Sequence, residues 1–148
     1  MDKFIAKEKR EHDARKRYHK SCRKMIAYQI DLYKANNPWR HGAHLDHDPY
    51  SFGIICDIFR SCLMRWQGVD ILPRLIIDYT TPGAMWRTYH ESVAEYKVVD
   101  AKDNLSKASK QTRKNMYGLT IDEYNDAVIH LTNKFDELFG VHYGKTKI

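Results

Sequence analysis

The chain has 148 residues, a length that suits one domain, and 43% of them are hydrophobic, with ten tyrosines, five phenylalanines and three tryptophans to fill a core. That composition excludes a chain left unfolded over most of its length, and the absence of any run of about 18 apolar residues excludes a membrane-spanning helix. The net charge of +6 sits at one end, because ten basic side chains oppose four acidic ones up to Lys24 and the remainder balances.

From Lys3 to Ala35 there is neither Gly nor Pro, and Tyr18, Cys22, Met25, Ile26, Ile30 and Tyr33 recur at helical spacing, which predicts one long helix. Its second half carries the apolar stripe. From Lys7 to Arg17 nearly every position is charged, so residues 1–17 are expected to project as a basic helical arm. Asn36-Asn37-Pro38 ends the helix, since proline disfavours helical geometry in the residue before it. Trp39 to Tyr50 reads as a loop punctuated by Gly42 and Pro49.

Ser51 is placed to cap a helix through Trp66, with Phe52, Ile55, Ile58, Phe59, Cys62 and Trp66 on its buried side and Gly68 closing it. A short apolar face at Leu72, Leu75, Ile76 and Tyr79 predicts another helix, begun by Asp70. Thr81 as N-cap and Pro82 at the first helical position start the next, whose stripe is Met85, Trp86, Tyr89, Val93 and Tyr96. Residues 100–117 are polar around Leu105 and are expected to form either an exposed helix or a mobile connection. The final helix is signalled by Thr120 and Glu123 as a capping box and by Tyr124, Ala127, Val128, Leu131, Phe135 and Leu138, until Gly140 stops it.

The expected fold is therefore all-α, a single domain over residues 1–148 built as a bundle of five or six helices with a long basic N-terminal helix. Cys22, Cys56 and Cys62 lie on or beside apolar helical stretches, outside any C-x-x-C pair, and are expected to be reduced, buried thiols. With no apolar leader after Met1-Asp2-Lys3-Phe4-Ile5, the expected location is the cytoplasm.

The leading functional expectation is a small basic protein that binds nucleic acid or another polyanion. Its contacts would be Lys7, Lys9, Arg10, Arg15, Lys16, Arg17, Lys20, Arg23 and Lys24, joined by the basic stretch from Lys102 to Lys114, because lysine and arginine neutralise phosphates and release counterions. The alternative is a metal-dependent phosphohydrolase or nuclease. His41, His44, Asp46, His47 and Asp48 supply imidazole and carboxylate groups competent to hold a divalent metal, with Asp46 and His47 as the catalytic candidates. A third expectation is an adaptor or inhibitor with a protein partner.

The string His44-Leu45-Asp46-His47-Asp48, followed by Gly53-Ile54-Ile55-Cys56, resembles part of the phage endonuclease VII group of HNH nucleases. That resemblance implies Asp46 as a magnesium ligand and His47 as general base. The family's two C-x-x-C pairs are matched only by halves, Cys22 with Met25 and Cys56 with Phe59, and Arg60 stands where its second metal-binding residue falls. The helix carrying Glu123 and Asp126 is similar to the ExxD helix of MazG-like nucleotide pyrophosphohydrolases, which implies a facing carboxylate pair at Glu91 and Glu95. The simpler expectation is that Glu123 completes its capping box and Asp126 faces solvent.

Overall fold

A computed structural model describes residues 2–37, 43–68, 70–71, 80–100 and 117–140, with only the backbone of residues 2–5, 44, 99 and 100. The fold is mostly helical. Among the described residues the elements in chain order are α1 (Asp2–Met25), α2 (Ala27–Asn36), β1 (Ala43–His47), α3 (Phe52–Gln67), α4 (Thr81–Val93), β2 (Tyr96–Asp100) and α5 (Ile121–Phe135), which runs into a π-helical turn, Asp136–Gly140. The short helix expected over Leu72 to Tyr79 lies outside the described residues, as does the polar stretch 101–116.

The core is built around α3. Ile54, Ile55, Cys56, Phe59 and Leu63 are fully or almost fully buried there, against Tyr18, Cys22 and Ile26 near the end of α1, Trp86 and Tyr89 of α4, and Leu131 and Phe135 of α5. The Phe59 ring lies 5.3 Å from Trp86 and 5.4 Å from Tyr89, and Tyr89 lies 5.9 Å from Phe135. Edge and tilted contacts of this kind add to the burial of each ring. The polar ends of the aromatics find partners inside the core, where Tyr18 donates to the Cys56 carbonyl at 2.6 Å and Tyr89 to that of Leu131 at 2.9 Å. All three cysteines are free and buried, as expected.

The closing signal of α3 and the opening signal of α5 hold, whereas Ser51 stands at the N-cap position of α3 without a side-chain cap bond. Gly68 adopts the left-handed conformation (φ 77°) that closes α3, and its N–H reaches the Met64 carbonyl at 2.7 Å. Thr120 and Glu123 form the reciprocal capping box at the start of α5. The α4 signal is displaced by one residue: Thr80, not Thr81, is the N-cap, and its hydroxyl accepts from Gly83 N–H at 3.1 Å.

Three expectations need correction. The single helix predicted from Lys3 to Ala35 breaks at Ile26. The indole N–H of Trp86 donates to the Cys22 carbonyl at 3.0 Å, and that carbonyl is the group the Ile26 amide would use in an unbroken α-helix. Ile26 N–H turns instead to the Arg23 carbonyl at 3.2 Å, and α2 departs as a helix with no buried residue.

The second correction is that Ala43–His47 is a strand and not a loop. It pairs antiparallel with Tyr96–Asp100, in the register Leu45 to Val98 and His47 to Tyr96, so the fold is not purely all-α. The third is that α4 ends at Val93, and Tyr96, expected on that helix, belongs to β2. Glu95 therefore lies beyond the helix that carries Glu91, and the pair does not form one carboxylate face.

Candidate functional site

On α1 the buried stripe Tyr18, Cys22 and Met25 fixes which side meets the core. At 3.6 residues per turn, Lys9, Lys16, Lys20 and Lys24 stand on the opposite side, flanked by Arg10, Arg17 and Arg23. All seven are exposed, as is Lys7. Glu11 falls in line with the buried stripe and Glu8 beside it, whereas Asp13 lies within the basic face, between Lys9 and Lys16. Exposed cations therefore extend past residue 17 along the half of the helix that packs, with Asp13 standing among them.

Arg15 is the exception among the expected contacts. Its Nη2 and Nε donate to Oδ2 of Asp57 at 2.8 and 3.1 Å, which turns it inward onto α3. One helical turn further, His19 Nε2 lies 2.6 Å from Oδ1 of the same carboxylate, and the Tyr117 hydroxyl donates to Oδ2 at 2.6 Å. Burial by itself raises the Asp57 pKa, but the bonds from His19, Arg15 and Tyr117 outweigh it and hold it below the usual carboxylate value. The arm is consequently anchored from Arg15 onward, and residues 6–12 are the exposed stretch beyond it.

A second polar cluster lies where β1 meets α4. His47 Nε2 is 3.1 Å from His90 Nε2, and His90 Nδ1 is 2.7 Å from Oε1 of Gln29 on α2. The protons on this relay follow from its far end. Gln29 Nε2 donates to the Arg87 carbonyl at 3.0 Å, which leaves Oε1 as acceptor for His90 Nδ1–H. His90 Nε2 is then a lone pair, and His47 Nε2–H donates to it. Nδ1 of His47 takes no part in the relay.

Both imidazoles are neutral at ordinary pH. His47 is pushed down to about 4 by burial and then by the positive charge of Arg23, with Asp46 opposing. His90 is pushed down to about 3 by burial, by His47 and by Arg23. The Arg23 guanidinium sits 4.3 Å from the centre of the Phe52 ring, and that ring is 5.1 Å from His47 and 5.8 Å from His90.

This placement bears on the expected metal-ligating cluster. Alternation along β1 sends Asp46 and His47 to opposite faces of the strand, so they do not converge on one ion. His41 and the side chain of His44 lie outside the described residues, and Asp48 lies 3.6 Å from the ammonium of Lys97. No group of three or more His, Cys, Asp or Glu suited to a metal occurs among the described residues. Glu123 serves its capping box and Asp126 is exposed. Sequence reasoning did not single out Asp57, Gln29 or His90, because each acquires its role from partners tens of residues away.

No helix of the described chain is long and apolar enough to cross a membrane. Compared with protein-family models, with curated proteins and with solved structures, the chain matches none.

Proposed function

We propose that this protein binds polyanions, with the phosphate backbone of nucleic acid as the fitting ligand, on the outer face of α1. The observation that carries the reading is the exposed line of Lys9, Lys16, Lys20 and Lys24 on the side opposite the buried stripe, with Arg10, Arg17 and Arg23 beside it. A rigid helix presenting cations along one side can follow a phosphate chain without reading bases, so affinity comes from counterion release and carries little sequence preference. The carboxylate of Asp57 supports the surface by fixing the rotation of α1 through Arg15 and His19.

The test is a mobility-shift titration with single- and double-stranded oligonucleotides over a range of salt. The logarithm of the affinity is expected to fall linearly with that of the salt concentration, by about 0.7 to 0.9 per phosphate neutralised. Lys16→Glu with Lys20→Glu should weaken binding at least about tenfold and flatten the salt slope. Arg15→Gln, which removes a charge already turned onto Asp57, should leave that slope nearly unchanged. Binding indifferent to salt, or equal losses from Arg15→Gln and the double charge reversal, would sink the reading.

A further inference from the structure

Arg23 belongs to two groups at once. It is part of the exposed cationic surface of α1, and its guanidinium lies on the ring of Phe52, against which both His47 and His90 pack. The two histidines are joined by one hydrogen bond and tied through Gln29 to α2 and through the Arg87 carbonyl back to α4. We propose that polyanion binding on α1 and proton uptake by the His47–His90 pair are coupled through Arg23, so that each favours the other. The proposal rests on the reading of α1 given above.

The physical basis is a charge that acts in two directions. A phosphate paired with Arg23 cancels the positive field that opposes a proton on the buried imidazoles, and linkage requires that a proton there strengthen phosphate binding by the same factor. The geometry says where the proton goes first. Nδ1 of His47 lies outside the relay, and protonating it leaves the Nε2–H to His90 bond intact, so the relay survives one proton. A second proton, on His90 Nε2, would set two N–H groups against each other.

Among the described residues, the charged and titratable groups around the pair are Arg23 from α1, Asp46 from β1 and Tyr96 from β2, whose ring is 4.8 Å from His47. The groups contributed by α2, α3 and the middle of α4, namely Gln29, Phe52 and Trp86, are neutral. Burial keeps the Tyr96 phenol neutral by pushing it up to about 12, with Tyr33 adding to the shift. Asp46 favours the proton and Arg23 opposes it, so Arg23 is the cation whose neutralisation changes the balance.

The experiment follows the imidazole signals of the folded full-length protein by NMR across an acid titration, with and without saturating oligothymidylate, whose bases do not titrate in that range. His47→Gln assigns the His47 signal. The expected result is a rise of the His47 midpoint by roughly half a pH unit on binding, about threefold in proton affinity, together with an equal gain in oligothymidylate affinity for the protonated form. Arg23→Gln should raise the midpoint in the free protein and abolish any further rise on binding. Salt-sensitive binding with an unmoved His47 midpoint overturns the coupling alone, as does a full shift in the Arg23→Gln variant. If oligothymidylate does not bind at low salt, the reading of α1 falls and the coupling falls with it.

Discussion

Asp57 accepts hydrogen bonds from Arg15, His19 and Tyr117, and it is only slightly exposed. Two of these donors come from α1, and Tyr117 stands before α5, so the carboxylate joins three parts of the chain. Removing it would leave a half-buried guanidinium and a phenol without their acceptor, and the cost comes from those orphaned donors more than from the lost attraction. Asp57→Ala is expected to destabilise the protein by about 2–3 kcal/mol in urea unfolding. A change within about 0.5 kcal/mol would mean that the cluster is a surface pairing of little consequence. Arg15 also shows why charge counting overstates a binding surface. The sequence places it in the middle of the basic run, and only the partner on α3 reveals that it is occupied.

At the scale of elements, the helices whose beginnings and ends are coded locally were readable in advance. Thr120 and Glu123, Gly68 and the apolar stripe of α3 act over a few residues, and their periodicity needs no knowledge of the rest of the chain. What escaped was set by distant partners. Strand β1 has five residues, too few for alternation to stand out among histidines and aspartates, and its evidence is its pairing with β2. Tyr96 continues the stripe of α4 by spacing, yet the helix ends before it. The break at Ile26 is caused by an indole 64 residues beyond the Cys22 carbonyl that it engages.

That last feature is open to test. Trp86→Phe should cost about 1–2 kcal/mol, since a donor is lost inside the core, and it should free the Cys22 carbonyl for the Ile26 amide. Hydrogen exchange at Ile26 should then slow relative to its neighbours after correction for global stability. Unchanged relative exchange would place the cause of the break elsewhere. For the candidate site, the basic face was readable because charge and periodicity are both local properties. The relay from His47 through His90 to Gln29 was not, because it unites three elements.

For the molecule as a whole, the buried histidines set the response to acid. Their folded pKa values lie below the unfolded value of about 6.5, so between that pH and about 4 the unfolded chain binds more protons than the folded one. Stability is therefore complete above pH 6.5 and falls as the pH drops. His47 alone contributes a loss of roughly 3 kcal/mol by pH 4. Asp57, with its lowered pKa, adds a further loss below the ordinary carboxylate range. Thermal unfolding should show a midpoint that declines from pH 7 to pH 4 in the native chain and declines less in His47→Gln, where His90 still contributes its share. Parallel curves would show that the acid response arises from other groups.

The three buried thiols also give this fold an internal clock. Cys22 and Cys56 face each other between α1 and α3, whereas Cys62 meets Thr132 of α5, and burial keeps Cys56 and Cys62 protonated and slow to react. Each sulfur becomes available to a thiol reagent only when its own helix contact opens. The order in which they are trapped thus records whether the basic helix or the C-terminal helix leaves the core first, without any label being added to the chain.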